Sequence, residues 1–225
     1  MNCIFLSPHF PPQYHRFCRQ LKLAGANALG IGGAPYDTLA PEVREALSEY
    51  YRVERMDDYD QLLRACGHFT HKYGKIDRID SLNEYWLGIE ARLRDDFNVF
   101  GVRTADIGTI RRKSEMKEKF REAGVAVAPG RVVHTLSEAR ALIGETGYPV
   151  VAKPDEGVGA LDTFRLDTDE DLVRFFARKP PVDYILEGFV RGTIHSFDGL
   201  CAADGTPVFC TAHVFSQGIM ETVNE

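Results

Sequence analysis

The sequence lacks long apolar runs and is poor in cysteine, and each absence excludes a class of protein. No stretch approaches the roughly 20 apolar residues that a membrane-spanning helix requires, so we expect no membrane partner. The start, MNCIFLSPHFPP, has neither the basic segment nor the long apolar segment of a signal peptide. The five cysteines are odd in number and widely spaced, which favours reduced thiols in a soluble, cytoplasmic protein over a disulfide framework.

Basic residues are also in the minority. The chain has 27 Lys and Arg residues against 33 Asp and Glu residues, a formal net charge of −6, which argues against a nucleic-acid partner. Hydrophobic residues make up 44% and charged residues 27%, values close to the globular average that exclude disordered and fibrous classes. With 225 residues, the chain is long enough for one large domain or two small ones.

Short apolar segments alternate with amphipathic segments over residues 1–103. The predicted strands span 2–7, 27–31, 50–53 and 76–82, and the predicted helices span 13–24, 41–47, 57–73 and 84–96. Crossovers of this length join parallel strands, so we predict a Rossmann-like parallel sheet covered on both faces. Gly30-x-Gly32 lacks the third glycine of a dinucleotide fingerprint, which leaves a nicotinamide-dependent oxidoreductase as a weak alternative.

After residue 103 the pattern changes to an α+β unit with a mostly antiparallel sheet. Helices are predicted at 110–123, 137–145 and 169–177, and strands up to Val133 and at 149–153, 162–166 and 184–190. Asp204-Gly205 favours an antiparallel hairpin over 193–215. The predicted fold class is therefore α/β, with a first domain at 1–103 and an α+β unit after it.

Three segments of the second half carry candidate chemistry. The segment 148–161 is an apolar strand that ends in Lys153 and is followed by a loop with two glycines. Such a loop suits a polyphosphate, because glycines let backbone amides approach an anion closely. A hairpin with a solvated lysine explains the segment equally well. The segment 111–129 is a charged helix, which by itself is most simply a solvated face. The segment 184–200 is a buried strand that runs into Glu187, and the end of such a strand could hold an adenine edge.

Taken in order, these three segments resemble the ATP-grasp superfamily, and above all its D-alanine–D-alanine-ligase-like and carboxylate–amine ligases. Lys113 is followed eleven residues later by Gly124-Val125, and Lys153-Pro154 precedes a glycine loop. The series ends with the segment EGFVRG at 187–192. The resemblance implies that residues 1–103 are the pre-ATP-grasp domain, 104–190 the small ATP-clamp subdomain and 191–225 the start of the large subdomain.

The resemblance also implies a nucleotide site. Lys113 would contact the α-phosphate, and Lys153 would contact the phosphates and the N7 side of the adenine. A loop would close over the β- and γ-phosphates; its residues are Gly157, Val158, Gly159 and Ala160. The Glu187 carboxylate would accept a hydrogen bond from the adenine amino group, and the Val190 backbone would pair with the ring.

Enzymes of this family use ATP and Mg²⁺ to convert a carboxylate into an acyl phosphate, which an amine or another nucleophile then attacks. The expected partners are therefore a small-molecule carboxylate and amine, and the sequence is compatible with a homodimer. Glu84 follows the fourth predicted strand, at the sheet edge where such folds bind ligands, and would face the substrate. A helix-capping role for Glu84 is an equally good alternative.

Two departures from the family pattern stand out. Ile194 occupies the position of a glutamate that normally holds the ribose hydroxyls. The family's catalytic residues and magnesium ligands, among them a Glu-x-Asn pair, are expected beyond Glu225, so we predict no metal ligand within this sequence. The sequence therefore reads as a fragment, inactive alone, of a complete ligase. The alternative is a non-catalytic ATP-binding module.

Two smaller clusters have simpler explanations than a functional site. His68 and His71 share a helix face and could bind zinc, but no further ligands are evident, so exposed helix histidines are favoured. His195, Ser196 and Asp198 suggest a hydrolytic triad. On a strand, however, alternation sends His195 and Ser196 to opposite faces, which argues against a serine hydrolase.

Overall fold

A computed structural model describes residues 1–157 and 161–218 of the chain. These residues form two compact units, one spanning Met1–Gly108 and a second beginning at Thr109. The predicted domain boundaries at residues 103 and 190 stay predictions. Among the described residues, no helix has both the length and the apolar character needed to cross a membrane.

The first unit is built on a four-stranded sheet in which every strand pair is parallel. Its strands are β1 (Asn2–Leu6), β2 (Asn27–Gly32), β3 (Glu49–Arg52) and β4 (Arg78–Asp80), in the order β3-β2-β1-β4. In the register, Ile4 of β1 lies between Leu29 and Ile79. The prediction of a parallel sheet is confirmed, but β4 is shorter than the predicted span 76–82.

Helices cover both faces of this sheet. They are α1 (His15–Leu23), α2 (Pro41–Ala46), α3 (Tyr59–Tyr73) and α4 (Leu87–Asp96). On one face, Ile4 and Leu29 pack with Phe69 of α3. On the other, Phe5 packs with Cys18 of α1. Because neighbouring side chains of a strand point to opposite faces, the nearly continuous apolar run of β1 serves two cores.

Gly30 and Gly32 lie inside β2 and serve packing. A methyl group at Gly32 would lie 2.5 Å from the Tyr50 hydroxyl oxygen, and one at Gly30 would lie 2.8 Å from a Leu47 side-chain carbon. The two glycines thus leave room for Tyr50 and Leu47 against the strand. This close packing explains the Gly-x-Gly pair without a dinucleotide turn.

The second unit contains a four-stranded sheet in which every strand pair is antiparallel. Its strands are β5 (Gly130–Val133), β6 (Val150–Pro154), β7 (Phe164–Leu166) and β8 (Tyr184–Gly188), in the order β5-β8-β6-β7. Two helices, α7 (Leu136–Thr146) and α8 (Asp169–Arg178), pack on one face. Each begins with a capping box, Thr135 with Glu138 and Thr168 with Asp171, which fixes where the helix starts.

A separate antiparallel hairpin follows, as predicted. It consists of β9 (His195–Cys201) and β10 (Pro207–Val214), which are joined through the turn that contains Gly205 at φ 84°. A positive φ favours glycine, so the Asp204-Gly205 pair indicated this turn correctly. Most side chains of the hairpin are exposed, including its apolar ones, among them Phe197 and Phe209.

The prediction of a single helix over 110–123 is wrong. The segment forms two helices, α5 (Gly108–Arg111) and α6 (Lys113–Glu122), which are separated by Arg112 in an extended conformation. Arg112 forms a β-bridge with Glu156, and the Lys113 amide donates to the Asp155 carbonyl at 2.9 Å. Pairing with a distant chain segment therefore overrides the local helix propensity, and it places the start of α6 next to the end of β6.

Glu49 of β3 binds α3 to the sheet through three side chains. The His68 Nε2 lies 2.7 Å away, the Lys72 ammonium donates at 2.5 Å and the Tyr73 hydroxyl donates at 2.7 Å. Burial by itself would raise the pKa of Glu49. The three hydrogen bonds have the larger, opposite effect, and the pKa of Glu49 is lowered from 4.5 to about 2. His68 therefore makes a structural contact that the sequence did not predict.

A carboxylate whose pKa is lowered by folding stabilises the folded state above its unfolded pKa, and the effect is lost as the pH falls through the folded pKa. We therefore expect Glu49→Gln to lower the free energy of unfolding at neutral pH, and this deficit to shrink between pH 4.5 and 2. Urea unfolding followed by fluorescence of Trp86, the single tryptophan, measures the first unit. Exposed Glu54→Gln is the control. A loss of unfolding free energy in Glu49→Gln that does not change with pH would contradict the lowered pKa of Glu49.

Candidate functional site

A buried carboxylate bridges two lysines on the face of the second sheet that α7 and α8 leave free. Glu187, near the end of β8, is only 6% exposed. The Lys153 ammonium of β6 lies 2.8 Å from its Oε2, and the Lys117 ammonium of α6 lies 2.9 Å from its Oε1. Burying an unpaired carboxylate is costly, and the two ammonium groups offset that cost. The interaction therefore ties together β6, β8 and α6.

The strand register explains why these side chains meet. Val151 lies opposite Glu187, and Lys153 lies opposite Ile185, so Lys153 and Glu187 project from the same face as diagonal neighbours. On β5, the residue opposite Glu187 is Gly130. A methyl group at Gly130 would lie 2.7 Å from Glu187 Cγ, so the glycine leaves the space that the glutamate side chain occupies.

Lys113 lies at the first position of α6, beside the loop that leaves β6. Its ammonium donates to the Gly157 carbonyl at 3.0 Å and to the Asp155 carbonyl at 3.4 Å. Lys117 follows one turn later and so projects from the same side of the helix. The helix therefore presents one lysine to the loop and one to Glu187, and the two predicted phosphate-binding residues, Lys113 and Lys153, flank the same loop.

Asp155 docks the start of α6 onto the end of β6. It is 1% exposed and accepts hydrogen bonds from the Ser114 amide and the Ser114 hydroxyl, both at 2.8 Å. Arg112 Nη1 lies 3.5 Å from the same carboxylate. A carboxylate at a helix N-terminus satisfies exposed amides and is stabilised by the helix dipole. Asp155 therefore fixes the position of Lys113.

The sequence did not identify Lys117 or Asp155 as part of the site. Lys117 is one of several lysines in a charged helix, and nothing local distinguishes it from Lys119, which pairs with Glu122 on the surface. Asp155 follows Lys153-Pro154 directly. A carboxylate just after the end of a strand was the one feature of the sequence that could have pointed to Asp155. Its partner, Ser114, lies 41 residues away, so the contact is visible only in the fold.

The other residues predicted to bind the nucleotide lie in the loop after β6 and just beyond β8. Gly157 has φ 143°, a conformation that favours glycine. The predicted loop residues Val158, Gly159 and Ala160 lie outside the described residues. Val190 is 69% exposed and lies two residues beyond the end of β8, so within the described residues its backbone is outside the strand pairs. Ile194, at the position of the expected ribose-binding glutamate, is also exposed.

In the first unit, Glu84 lies beyond the carboxyl end of β4. It opens a short 3₁₀ turn that Asn83 caps by accepting a hydrogen bond from the Tyr85 amide at 3.0 Å. Two non-glycine residues at this edge have left-handed backbones, Ser7 after β1 (φ 54°) and Leu82 after β4 (φ 58°). Such strain is concentrated at functional sites, and β1 and β4 meet where the strand order reverses, the usual ligand crevice of parallel sheets.

The hairpin brings Ser196 and Asp198 together with His213, a residue that the sequence did not associate with them. Both the Ser196 hydroxyl and the Asp198 carboxylate approach the same His213 nitrogen, Nδ1, at 3.4 and 3.3 Å. A hydrolytic triad instead uses the two different ring nitrogens. His195 lies opposite Val214, away from this cluster. The geometry therefore gives no support to a serine hydrolase.

Within residues 1–157 and 161–218, no group of three or more His, Cys, Asp or Glu side chains is placed to hold a metal ion. The residues that the structure describes therefore do not by themselves make up a magnesium site.

A scan against protein-family models finds no match. Solved structures of similar fold do exist. The N5-carboxyaminoimidazole synthetase from Staphylococcus aureus, solved with ADP, aligns with a TM-score of 0.74 over 97% of this chain and 55% of that chain, at 16% identity. The L-amino acid ligase from Bacillus licheniformis aligns with a TM-score of 0.63 over 95% of this chain and 48% of that chain, again at 16% identity.

A third similar structure is the biotin carboxylase domain of the Hydrogenobacter thermophilus 2-oxoglutarate carboxylase, solved with MgADP, ADP and bicarbonate. It aligns with a TM-score of 0.67 at 21% identity, over 86% of this chain and 45% of that chain. All three are ATP-grasp carboxylate–amine ligases. The chain has the ATP-grasp fold.

At identities this low, the likeness establishes the ATP-grasp fold alone. The chain spans about half the length of the structures that it matches. The Glu187 bridge and the Lys113 contacts involve residues of the second unit only. Substitutions in the second unit can therefore test these contacts.

If Asp155 anchors α6, then Asp155→Ala should destabilise the second unit. It removes the acceptor of two hydrogen bonds from Ser114, and we expect a loss of about 1–3 kcal/mol. Hydrogen exchange of the α6 amides should accelerate in the first turn, while exchange in α3 of the first unit stays unchanged. Asp155→Asn, which keeps one carbonyl acceptor, should show a smaller effect. Unchanged exchange in α6 would contradict the anchoring role.

Proposed function

We propose that the chain belongs to an ATP-dependent ligase that forms an acyl phosphate from a carboxylate and joins it to an amine or another nucleophile. The observation that supports this most strongly is the buried Glu187 between Lys153 and Lys117, on the face of the antiparallel sheet opposite α7 and α8. Two ammonium groups share one carboxylate there, so the cluster carries excess positive charge. A polyphosphate is the ligand that this charge suits best.

In this proposal the nucleotide exchanges partners with the cluster. Lys153 would turn from Glu187 to the phosphates and the N7 side of the adenine, while Lys117 keeps the Glu187 charge balanced. One Glu187 oxygen would then be released to accept a hydrogen bond from the adenine amino group. Because Lys117 already holds the carboxylate at 2.9 Å, this exchange leaves no buried charge unpaired.

The phosphates would lie between Lys113 and the loop after β6. Lys113 would move from the Gly157 carbonyl to the α-phosphate, and amides of residues 157–160 would donate to the β- and γ-phosphates. The Val190 backbone, which lies two residues beyond the end of β8, would pair with the adenine ring. Such contacts are worth most where water is excluded, because charges interact more strongly at low dielectric.

The proposed reaction has two steps. A substrate carboxylate oxygen attacks the γ-phosphorus, the bond to the β–γ bridging oxygen breaks, and ADP leaves with that electron pair. The amine then attacks the acyl carbon of the acyl phosphate and expels inorganic phosphate, with loss of a proton from nitrogen. Lys113 and Lys153 would stabilise the charge that shifts onto the phosphates.

The first unit would hold the small-molecule substrates. Glu84 stands at the crevice edge between β1 and β4, where it can receive the ammonium group of an amine. The strained residues Ser7 and Leu82 at the same edge support a ligand site there. Which acid and which nucleophile are used would be decided at this edge.

ADP release tests the ligase activity. The complete protein should release ADP from ATP only when a suitable carboxylate is present, and an acyl phosphate should be trapped by hydroxylamine as a hydroxamate. A panel of amino acids and small organic acids supplies the candidates. Tight ATP binding without ADP release or hydroxamate with any acid would contradict the ligase and support the second candidate, a non-catalytic ATP-binding module. Ile194, in place of the expected ribose-binding glutamate, favours that candidate.

The nucleotide site is tested separately by lysine substitution. Lys153→Ala and Lys113→Ala should each weaken ATP binding by about 1.5–3 kcal/mol, the scale for losing a hydrogen bond to a charged group. The matched control is Lys119→Ala, on the same helix as Lys113 but paired with Glu122, and it should leave the affinity unchanged. Titration calorimetry measures all three. Equal ATP affinities in all three variants would contradict the assignment of Lys113 and Lys153 to the phosphates.

A further inference from the structure

A groove of about 530 Å³ lies between the edge strand β7 and helix α8. Its apolar floor consists of Phe164 and Leu166 from β7 and Phe175 from α8. The rings of Phe164 and Phe175 lie 5.5 Å apart between centroids. Phe164 is 40% exposed although it contributes to this floor, so the groove leaves an aromatic surface open to a ligand.

The groove is separate from the proposed nucleotide site. Phe164 lies opposite Ala152, and Leu166 lies opposite Val150, so both point to the face of the sheet that packs against α7 and α8. Lys153 and Glu187 project from the other face. A ligand in the groove would therefore not contact the residues assigned to ATP.

The rim of the groove is positively charged, although the chain as a whole carries a net charge of −6. One carboxylate, Asp171, lines it together with three cations, Arg174, Arg178 and Lys179, whereas the Arg165 side chain projects from the other face of the sheet, 4.8 Å from the Phe189 ring centroid. Arg174 is paired with Asp171 at 2.6 Å, and the Lys179 ammonium donates to the Val182 carbonyl at 3.2 Å. The exposed Arg178 guanidinium has no ion pair or hydrogen bond within the described residues. The rim thus offers an uncompensated charge to an acidic partner.

The strand that forms one wall can also accept a partner strand. β7 is the last strand in the order β5-β8-β6-β7, and over the described residues its outer edge pairs with no other strand. An open edge presents backbone donors and acceptors to an extended peptide. A groove between an edge strand and a helix lets such a peptide add to the sheet while its side chains reach apolar and charged surfaces.

We propose that this groove binds an acidic, extended peptide segment of a partner protein. The segment adds to the edge of β7, places a large apolar side chain against Phe164 and Phe175, and directs a carboxylate to Arg178. The open edge explains the extended conformation, the aromatic floor explains the apolar anchor, and the surplus of cations explains the acidic composition.

Selection from a displayed library of random twelve-residue peptides on the immobilised full chain tests this proposal. We expect enriched peptides that combine Asp or Glu with a large apolar residue. Their affinity, measured by fluorescence anisotropy, should fall about tenfold or more in Arg178→Glu. The control is Arg19→Glu, which makes the same charge change at an exposed arginine of α1 in the first unit. Thermal unfolding verifies that both variants fold.

A second measurement tests the strand addition by itself. N-methylation of single backbone amides along an enriched peptide should abolish binding at alternate positions, because only every second amide of an added strand faces β7. Three results would overturn the proposal: no enrichment, enriched peptides without acidic residues, or equal affinity for the wild-type chain and Arg178→Glu. Binding that is insensitive to N-methylation at every position would overturn the strand addition.

Discussion

The ion bridge from Lys153 through Glu187 to Lys117 is the interaction on which the candidate site depends. It joins two strands and a helix that are far apart in sequence, and it does so with a carboxylate that is only 6% exposed. A buried charge requires partners, so the position of each element constrains the other two. Gly130 provides the room for the glutamate, and Asp155 fixes the helix from which Lys117 and Lys113 project.

This arrangement combines a preformed site with room for exchange. Each lysine already has a protein partner, since Lys113 donates to the Gly157 carbonyl and Lys153 pairs with Glu187. In the proposed function a nucleotide would therefore compete with these contacts, and it would gain only the difference in free energy between its phosphate contacts and the existing protein contacts. Sharing Glu187 between two lysines lowers the cost of releasing one of them. The proposed role of Lys117 is thus to position Glu187 without contacting the nucleotide.

Much of the fold could be predicted because it is encoded locally. The apolar strands and the Asp204-Gly205 turn each have a local physical cause, and both sheet types are confirmed. The predictions that were wrong or incomplete depend on distant contacts. The break at Arg112 arises from a β-bridge to Glu156, and the importance of Lys117 and Asp155 arises from partners 70 and 41 residues away. Local patterns do not carry that information.

Lysine footprinting with and without nucleotide tests the central claim most directly. The chain is modified by an amine-reactive reagent, and the extent of reaction at each lysine is measured by mass spectrometry. The account predicts that ATP strongly lowers the reactivity of Lys113 and Lys153 and leaves surface-paired Lys119 unchanged. Equal reactivity of Lys113 and Lys153 at saturating ATP and in its absence would contradict the account.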